Sequence, residues 1–409
     1  MMRAQVDTDV LIVGGGPAGT AAALRLAESG LSVTILDRVQ FPRVKPCGGG
    51  LTIKALKLLP HSVGPVIERA TTTMGMGLRG ASGRERFQVY EADSYVCAFS
   101  VRQEFDRFNL DRALERGTRF EQIRQIEDID ERADRVEIKV DGKTLKTSFL
   151  IGADGANSVV RRLTSGGNWF TRGFAIEGHV PYSDIGREPG AEFYFGYARN
   201  GYGWLFPKGD HVNVGVYTYE EEASINKEML RIYAQERLGT DKLYNVVGYP
   251  LGFGGRHYSP SRSRIVLVGD AGGFAEPLLG EGIHNAIKSG QAAADAIIAV
   301  TMATEKNLRL EYRSRLRPIY DDVARCDDLA RNFFYPNLDG LGFGALSLPL
   351  SRYALMKGFQ AGKTMYELTN TFFLSPFYDV SLPASLRDFV RRSCSQGHNK
   401  EIVSVVGSP

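Results

Sequence analysis

Apolar and polar positions follow two different regimes along this chain. Between Asp9 and Asp37 an apolar run, Val10 to Val13, stops at Gly14-Gly15-Gly16-Pro17-Ala18-Gly19. An Ala/Leu-rich stretch with helical spacing then reaches Gly30, and a second apolar strand, Ser32–Leu36, delivers Asp37. Short apolar runs without alternation are the signature of strands buried on both faces of a parallel sheet. Met74–Leu78, Phe87–Tyr90 and Tyr95–Phe99 read as strands, and Thr52–Leu59 as a helix. Val101–Arg116 reads as an amphipathic helix closed by Gly117; Arg119–Ile126, Val136–Val140 and Leu145–Ile151 read as strands. From Phe170 to about Gly255 the pattern changes to alternation with aromatic residues and glycine turns, clearest in Glu192–Tyr197, Gly203–Phe206 and His211–Thr218. Glu220–Leu238 interrupts it with one helix. Arg264–Val268 returns to the buried-strand type and is followed by an alanine-rich helix, Glu281–Met302. Beyond that, helices mix with an aromatic, proline-broken stretch from Phe333 to Phe377, and Ser393–Pro409 is a polar tail.

These elements predict an α/β chain (α+β overall). A Rossmann-like nucleotide domain is expected over residues 1–70, 95–165 and 256–305. An antiparallel-sheet substrate domain, 71–94 and 166–255, is inserted into it, and residues 306–409 form a mostly helical C-terminal region with a loose tail. A length of 409 residues fits more than one unit and a sizeable core.

Charge and cysteine content narrow the function classes. Lysine and arginine total 50 against 47 acids, a net charge of +3, which offers no broad basic face for nucleic acid. Cys47, Cys97, Cys326 and Cys394 are scattered without a C-x-x-C pair, which argues against a disulfide framework or a zinc site and predicts a reducing, cytoplasmic setting. No metal ligands are predicted. No signal-peptide apolar region and no run of about 18–20 apolar residues is present, so a soluble protein is expected, with peripheral membrane contact left open.

The Asp9–Asp37 unit has the strand, glycine turn, helix, strand and acid that a dinucleotide requires. Gly14 permits the tight turn, Gly16 lets the backbone approach a pyrophosphate, and Gly19 lets the helix lie close to the sheet. The helix start at Pro17-Ala18 supplies free N–H groups and about half a unit of positive charge. Asp37 is suited to a ribose. Two later strand ends, Ile151-Gly152-Ala153-Asp154-Gly155 and Val268-Gly269-Asp270-Ala271-Gly272, each feed an acid into a turn.

Those three motifs, in that order, resemble the flavoprotein superfamily that includes p-hydroxybenzoate hydroxylase. Within it the chain is most similar to the geranylgeranyl reductase family. The closer match rests on Pro42-Arg43-Val44-Lys45-Pro46-Cys47-Gly48-Gly49-Gly50-Leu51, on Gly201-Tyr202-Gly203-Trp204-Leu205-Phe206-Pro207-Lys208-Gly209-Asp210, and on Gly269-Asp270 through Pro277 to Gly280-Glu281-Gly282-Ile283. It spans roughly Asp9 to Met302 and weakens beyond. The resemblance implies FAD in the glycine finger, held by Gly14, Gly16, Pro17, Ala18, Gly19, Asp37 and Arg38. Arg102, opening an R-x-x-F-D helix, is assigned to the phosphate or ribityl region, Ile126 to adenine, and Asp154 to the turn on the pyrophosphate side. Asp270 is assigned to the ribityl chain and Gly282 and Ile283 to the pyrimidine edge of the ring, with Gly269, Pro277 and Gly280 as further cofactor-binding positions. Lys45, Cys47, Gly48, Gly49 and Gly50 would wall the ring, with Cys47 as proton donor, redox modulator or packing thiol.

Tyr202, Trp204 and Phe206 alternate, so they share one sheet face. Facing the ring they would line an isoprenoid pocket, with the Tyr202 hydroxyl a proton source; otherwise they are an aromatic core face. Phe333, Phe334, Leu338, Leu341, Phe343 and Leu348 would give that pocket its far wall, a membrane-facing mouth, or the core of a helical cap. The activity implied is saturation of carbon–carbon double bonds in a geranylgeranyl or other polyprenyl group by hydride from flavin N5. With no second glycine finger, NADPH or a ferredoxin-like protein would be the electron donor. The rivals are an FAD-dependent monooxygenase or halogenase-like enzyme on an aromatic or polyketide substrate, and a non-catalytic FAD-binding protein.

Overall fold

The structure is a computed structural model and describes residues 6–370 except 166, 221–224 and 304. Expectations for Cys394, for residues 371–377 and for the Ser393–Pro409 tail lie outside the described residues. A first sheet holds seven strands, with Arg119–Gln122, Val33–Asp37, Thr8–Val13 and Lys143–Gly152 parallel in that order. The other edge of Lys143–Gly152 is shared: its first half pairs antiparallel with Val136–Val140, its second half parallel with Ile265–Leu267. The central strands are apolar throughout because both faces are buried; Val10, Ile12, Ile35, Leu150 and Ile151 have no exposed surface.

Helices Pro17–Ala27, Arg102–Glu115 and Ile283–Met302 pack beside one another on this layer. The contact between the first and last is close because both are rich in small residues. A Cβ at Gly290 would stand 2.2 Å from the Ala18 carbonyl oxygen. That crossing brings the start of the late helix, Gly280 to Ile283, to the glycine finger near the N-terminus.

The second sheet, also seven-stranded, runs Tyr244–Phe253, Thr171–Pro181, His211–Thr218, Gly201–Pro207, Glu192–Phe195, Thr73–Arg79, Glu85–Glu91. It is not wholly antiparallel as expected: Glu192–Phe195 and Thr73–Arg79 pair in parallel. The reason is connectivity. Thr73–Arg79 arrives from a separate, earlier segment, and only consecutive hairpin strands are obliged to run antiparallel. One face is closed by helix Lys227–Leu238, where Tyr233 presses so near that a Cβ at Gly203 would be 2.5 Å from its ring. The opposite face carries Tyr202, Trp204 and Phe206.

Several boundaries differ from the sequence expectation for local reasons. The Thr52–Leu59 helix is only Ile53–Leu56, preceded by a strand, Gly50–Thr52. The helix expected from Glu220 is described from Lys227, where the Asn226 side chain caps the Met229 N–H. Arg119–Ile126 splits into Arg119–Gln122 and Ile126–Glu131, because the Asp141 carboxylate takes the Arg124 and Gln125 amides that a continuous strand would spend on its neighbour. Past Met302, helices Leu308–Arg315 and Arg317–Asp328 lead through wide turns to Phe343–Ser347 and Pro349–Ala361.

Candidate active site

One cavity of about 740 Å³ runs between the two sheets, within the usual size of a cofactor site. Its first end is the glycine finger. Gly14 sits at φ +107°, and a Cβ there would lie 2.4 Å from the Ala153 carbonyl oxygen. A Cβ at Gly19 would lie 1.9 Å from the Gly14 carbonyl oxygen, so the helix rests directly on the turn. Asp37 accepts the Gly15 N–H at 2.9 Å and the Val39 N–H at 3.1 Å, which fixes its carboxylate at the cleft. Arg38, Ile123 and Ile126 complete this end.

Charges of both signs meet in the middle. Arg102 grips Asp106 through two hydrogen bonds of 2.8 Å, and Arg43 adds a contact to Asp106 at 3.3 Å. Burial alone would lower the Arg102 guanidinium, but Asp106 and the hydrogen-bonded Cys47 sulfur hold it above its ordinary value. The Lys45 ammonium lies 2.9 Å from the centre of the Tyr249 ring; burial, with Arg102 nearby, lowers it to about 7. Burial raises Asp270, opposed by Lys45 and Arg102. Asp154 is also raised by burial, and its oxygens are spent on Ser158 Oγ and on the Val159 and Val160 amides, so its side chain orders the turn.

The segment Glu276–Gly282, before the late helix, is held from every side. The Glu276 carboxylate accepts the N–H groups of Leu278 at 2.7 Å, Leu279 at 2.9 Å and Glu281 at 3.2 Å. Three tyrosine hydroxyls donate to consecutive carbonyls: Tyr217 to Pro277 at 2.9 Å, Tyr335 to Leu278 at 2.7 Å and Tyr202 to Leu279 at 2.5 Å. Burial raises Glu276 to about 7. Gly280 takes φ +67°, with Tyr217 3.0 Å from where its Cβ would be, and Gly282 and Ile283, which open the late helix, line the cleft. The Tyr202 hydroxyl, expected as a proton source, is thus committed to a backbone carbonyl and held well above its ordinary range by burial.

The Cys47–Gly50 loop forms a wall against the aromatic strand. A Cβ at Gly48 would be 2.8 Å from Phe206 and 3.1 Å from Trp204 Nε1; one at Gly49, φ +63°, would be 2.0 Å from the Ser100 carbonyl oxygen. Cys47 donates its N–H to Glu177 at 2.9 Å, and its sulfur accepts the Gly49 N–H at 3.4 Å. Trp204 Nε1 donates to Asn213 at 2.7 Å. Lys208, 2% exposed, donates to the carbonyls of Gly48 at 2.7 Å and Ser100 at 3.1 Å, and burial lowers its ammonium to about 8. Beyond this wall the cavity opens into an apolar chamber lined by Met74, Met76, Phe193, Phe206, Tyr217 and Leu279.

Of the residues expected from the sequence, Gly14, Gly16, Pro17, Ala18, Asp37, Arg38, Lys45, Cys47, Gly48, Gly49, Gly50, Arg102, Ile126, Asp154, Tyr202, Trp204, Gly269, Asp270, Gly280, Gly282 and Ile283 all line this cavity. Gly19 and Pro277 sit behind its surface, one under the helix and one on the Tyr217 hydroxyl. The far wall differs. None of Phe333, Phe334, Leu338, Leu341, Phe343 and Leu348 lines the cavity; Phe334 and Phe343 are cap core, whereas Leu341 and Leu348 are 71% and 57% exposed. Phe359, Gly362, Lys363 and Met365 take that place, because the inner face of Pro349–Ala361 and the turn after it reach the chamber. Glu177, Asn213, Lys208, Glu276 and Tyr335 were not singled out by sequence. His284 is buried with Nδ1 against Asn285, a packing residue.

A family model described as FAD binding domain matches residues 7–169. An uncharacterised protein of Methanosarcina barkeri is 35% identical, the match covering 81% of this chain and 84% of that protein. The chloroplastic geranylgeranyl diphosphate reductase of Nicotiana tabacum is 31% identical over 80% of this chain and 74% of its own length, and a menaquinone reductase of Mycolicibacterium smegmatis is 30% identical over 70% and 75%. Among solved structures, a geranylgeranyl bacteriochlorophyll reductase-like protein of Thermoplasma acidophilum has the same fold, with TM-score 0.69, 21% identity and coverage of 91% and 99%. The halogenase PltM also has it, with TM-score 0.67, 19% identity and coverage of 90% and 84%. The cleft fits FAD on its own geometry. A Cβ at Gly16 would meet only the flexible end of Arg43, at 3.6 Å, so the backbone there is open to a pyrophosphate.

Proposed function

The chain belongs to the geranylgeranyl reductase family of FAD-dependent oxidoreductases, and from that premise we infer that it saturates carbon–carbon double bonds of a polyprenyl group. The observation that carries this reading is the continuity of one cavity: a nucleotide cleft at one end, an apolar aromatic chamber at the other, and the Cys47–Gly50 wall between them. FAD bound in the cleft and reduced by NADPH or a ferredoxin-like donor supplies a hydride. Asp37 would hold the adenosine ribose, Ile123–Ile126 the adenine, and the N–H groups of the first helical turn the pyrophosphate. Arg102 and Asp270 would take the ribityl region. The Gly282–Ile283 amides would face the electron-rich ring edge, where a helix N-terminus favours negative charge.

The triple-glycine wall packs directly on Phe206, Trp204 and the Ser100 carbonyl, where a side chain would not fit, and so stays thin between cleft and chamber. Trp204, Phe206, Phe193 and the methionines exclude water from an alkene that gains positive character as it is protonated. With the Tyr202 hydroxyl engaged by Leu279, we assign the proton to Cys47 Sγ. Cys47 Sγ accepts the Gly49 N–H at 3.4 Å and is hydrogen-bonded to Arg102, which holds it at the wall. The test is anaerobic. FAD-loaded protein reduced with dithionite is offered geranylgeranyl compounds, and products are read by mass for the gain of hydrogen at each double bond. A requirement for oxygen in forming any product would sink this reading in favour of the monooxygenase or halogenase-like one.

A further inference from the structure

We propose that Glu276 is a proton-uptake site tied to the charge of the flavin: its carboxylate takes a proton as the ring gains an electron pair and returns it as the pair leaves. This rests on FAD in the cleft and on no choice of substrate.

Three acids and one base are packed behind the start of the late helix. Glu276 and Asp322 are 2% and 1% exposed, and the side chains of Lys54 and Glu281 are nearly as well covered. Lys54 Nζ stands 3.1 Å from Glu281 Oε2 and 3.8 Å from Asp322 Oδ2. Both oxygens are shut off from solvent and neither makes a hydrogen bond, so the ammonium supplies charge without a directed contact. Among the described residues no other cation lies within 4.0 Å of the three carboxylates. His284 and Lys288, on the late helix, face the Asp322 end of the group. One lysine therefore answers three acids where an unpaired charge is costly.

Glu276 is the member placed to carry the extra proton. Its Oε1 accepts two amides, Leu279 and Glu281, whereas Oε2 accepts only the Leu278 amide. The Cys326 thiol is also hydrogen-bonded to this carboxyl. A thiol is both a weak donor and a weak acceptor, so it can face the charged form or the protonated one. Tyr202, Tyr217 and Tyr335 lie around Glu276 too, but their hydroxyls are spent on the carbonyls of Leu279, Pro277 and Leu278. Burial, opposed by Lys54 and reinforced by Glu281, leaves the group at about 7, where a change in nearby charge decides its state.

Glu276, Glu281 and Lys54 line the cavity together with Gly280, Gly282 and Ile283. An electron pair arriving at that edge adds negative charge beside a carboxylate, and like charge raises the affinity of a carboxyl for its proton. Reduction of the ring to its anionic form takes two electrons from the donor and one proton from solvent. Protonation of Glu276 takes a second proton from solvent, so ring and loop together change charge by zero instead of by one negative unit. When a hydride leaves the ring, carrying away the electron pair and the first proton, Glu276 gives the second back to solvent.

The test uses FAD-loaded protein reduced electrochemically in a thin infrared cell, with no substrate present. At about pH 7 reduction is expected to add the C=O stretch of a protonated carboxyl to the difference spectrum, and Glu276→Gln should lack it. The flavin potential reports the same proton. Each proton taken up with the electron pair makes the equilibrium tenfold pH-dependent per unit, which is about 30 mV. Between about pH 6 and 8 the wild-type potential should therefore fall more steeply than that of Glu276→Gln, by up to this amount. Where Glu276→Gln fails to hold FAD, Lys54→Met decides. Without the cation the carboxyl keeps its proton in both redox states, so the band should appear on reduction only about one pH unit or more higher, whereas Lys54→Arg keeps the wild-type profile. Three results overturn the proposal: no carboxyl band in wild type across this range, the same band or the same potential slope in Glu276→Gln, or a band whose pH profile is indifferent to Lys54→Met. Because no alkene takes part, a failed anaerobic reduction assay leaves this outcome standing, and the reverse also holds.

Discussion

Replacing Tyr335 by phenylalanine removes one oxygen atom from a residue that does not line the cavity, yet it should loosen the cofactor. The Tyr335 hydroxyl donates to the Leu278 carbonyl at 2.7 Å, and Tyr335 and Leu278 are 6% and 7% exposed. Phenylalanine keeps the ring packing against Phe195, Tyr219 and Phe334, so the change isolates the hydrogen bond. A buried carbonyl stripped of its donor costs about 1–3 kcal/mol. It can recover water only if the Pro277–Leu279 segment moves, and that segment presents Gly280–Ile283 to the cleft. Relaxing the loop and binding the cofactor therefore compete. If about 1 kcal/mol of the loss falls on the bound state, the FAD Kd rises about fivefold. The measurement is urea unfolding together with FAD titration of the apoprotein, with Tyr353→Phe, 64% exposed, as the control. An FAD Kd within twofold of wild type, with an unchanged unfolding midpoint, would refute the claim that side chains hold this loop in place.

Asp270→Ala should release most of the bound flavin, seen as loss of yellow colour on gel filtration; full colour would refute the ribityl assignment. Gly49→Ala forces a side chain into φ +63° with its Cβ 2.0 Å from the Ser100 carbonyl oxygen; the loop must shift, and turnover should fall by at least about a hundredfold while FAD is retained. Glu276 is raised from 4.5 to about 7, so the unfolded chain releases this proton first as pH rises. Its contribution to stability is full below about 4.5 and falls by roughly 1.4 kcal/mol per pH unit up to about 7. In Glu276→Gln that decline should vanish, and the difference in unfolding free energy between the two proteins, measured from pH 5 to 7.5, should carry the slope; parallel curves would contradict it.

The nucleotide half of the site was legible because its chemistry is local. Gly14, Gly16, Gly19 and Asp37 lie in one strand–helix–strand unit, and their spacing alone states the geometry. The alternation of Tyr202, Trp204 and Phe206 placed them on one face for the same reason. Partners brought together by tertiary contact carried no such signal. Glu276 reads as a loop acid, yet it satisfies three amides of its own turn. Lys208 sits beside Gly209-Asp210 and reads as the polar end of a hairpin, yet it is buried under the glycine wall. Glu177 meets the Cys47 loop only once that loop folds over the sheet, and Asn213 meets Trp204 across its own hairpin, a pairing that strand alternation alone does not reveal. For the aromatic stretch after Met302 three placements stayed open, because composition cannot say which side of a helical cap faces inward; Phe334 and Phe343 are core of that cap.

The cradle draws on residues scattered from Gly14 to Ile283, and its two ends are joined by a helix crossing at Ala18 and Gly290. During synthesis, then, the opening hairpin must wait unliganded until more than half of the polypeptide has emerged. A chain cut anywhere in the inserted sheet would carry the FAD-binding signature and hold no flavin. On the proposed assignment the cofactor would favour only those molecules whose late helix has come back to meet the first turn.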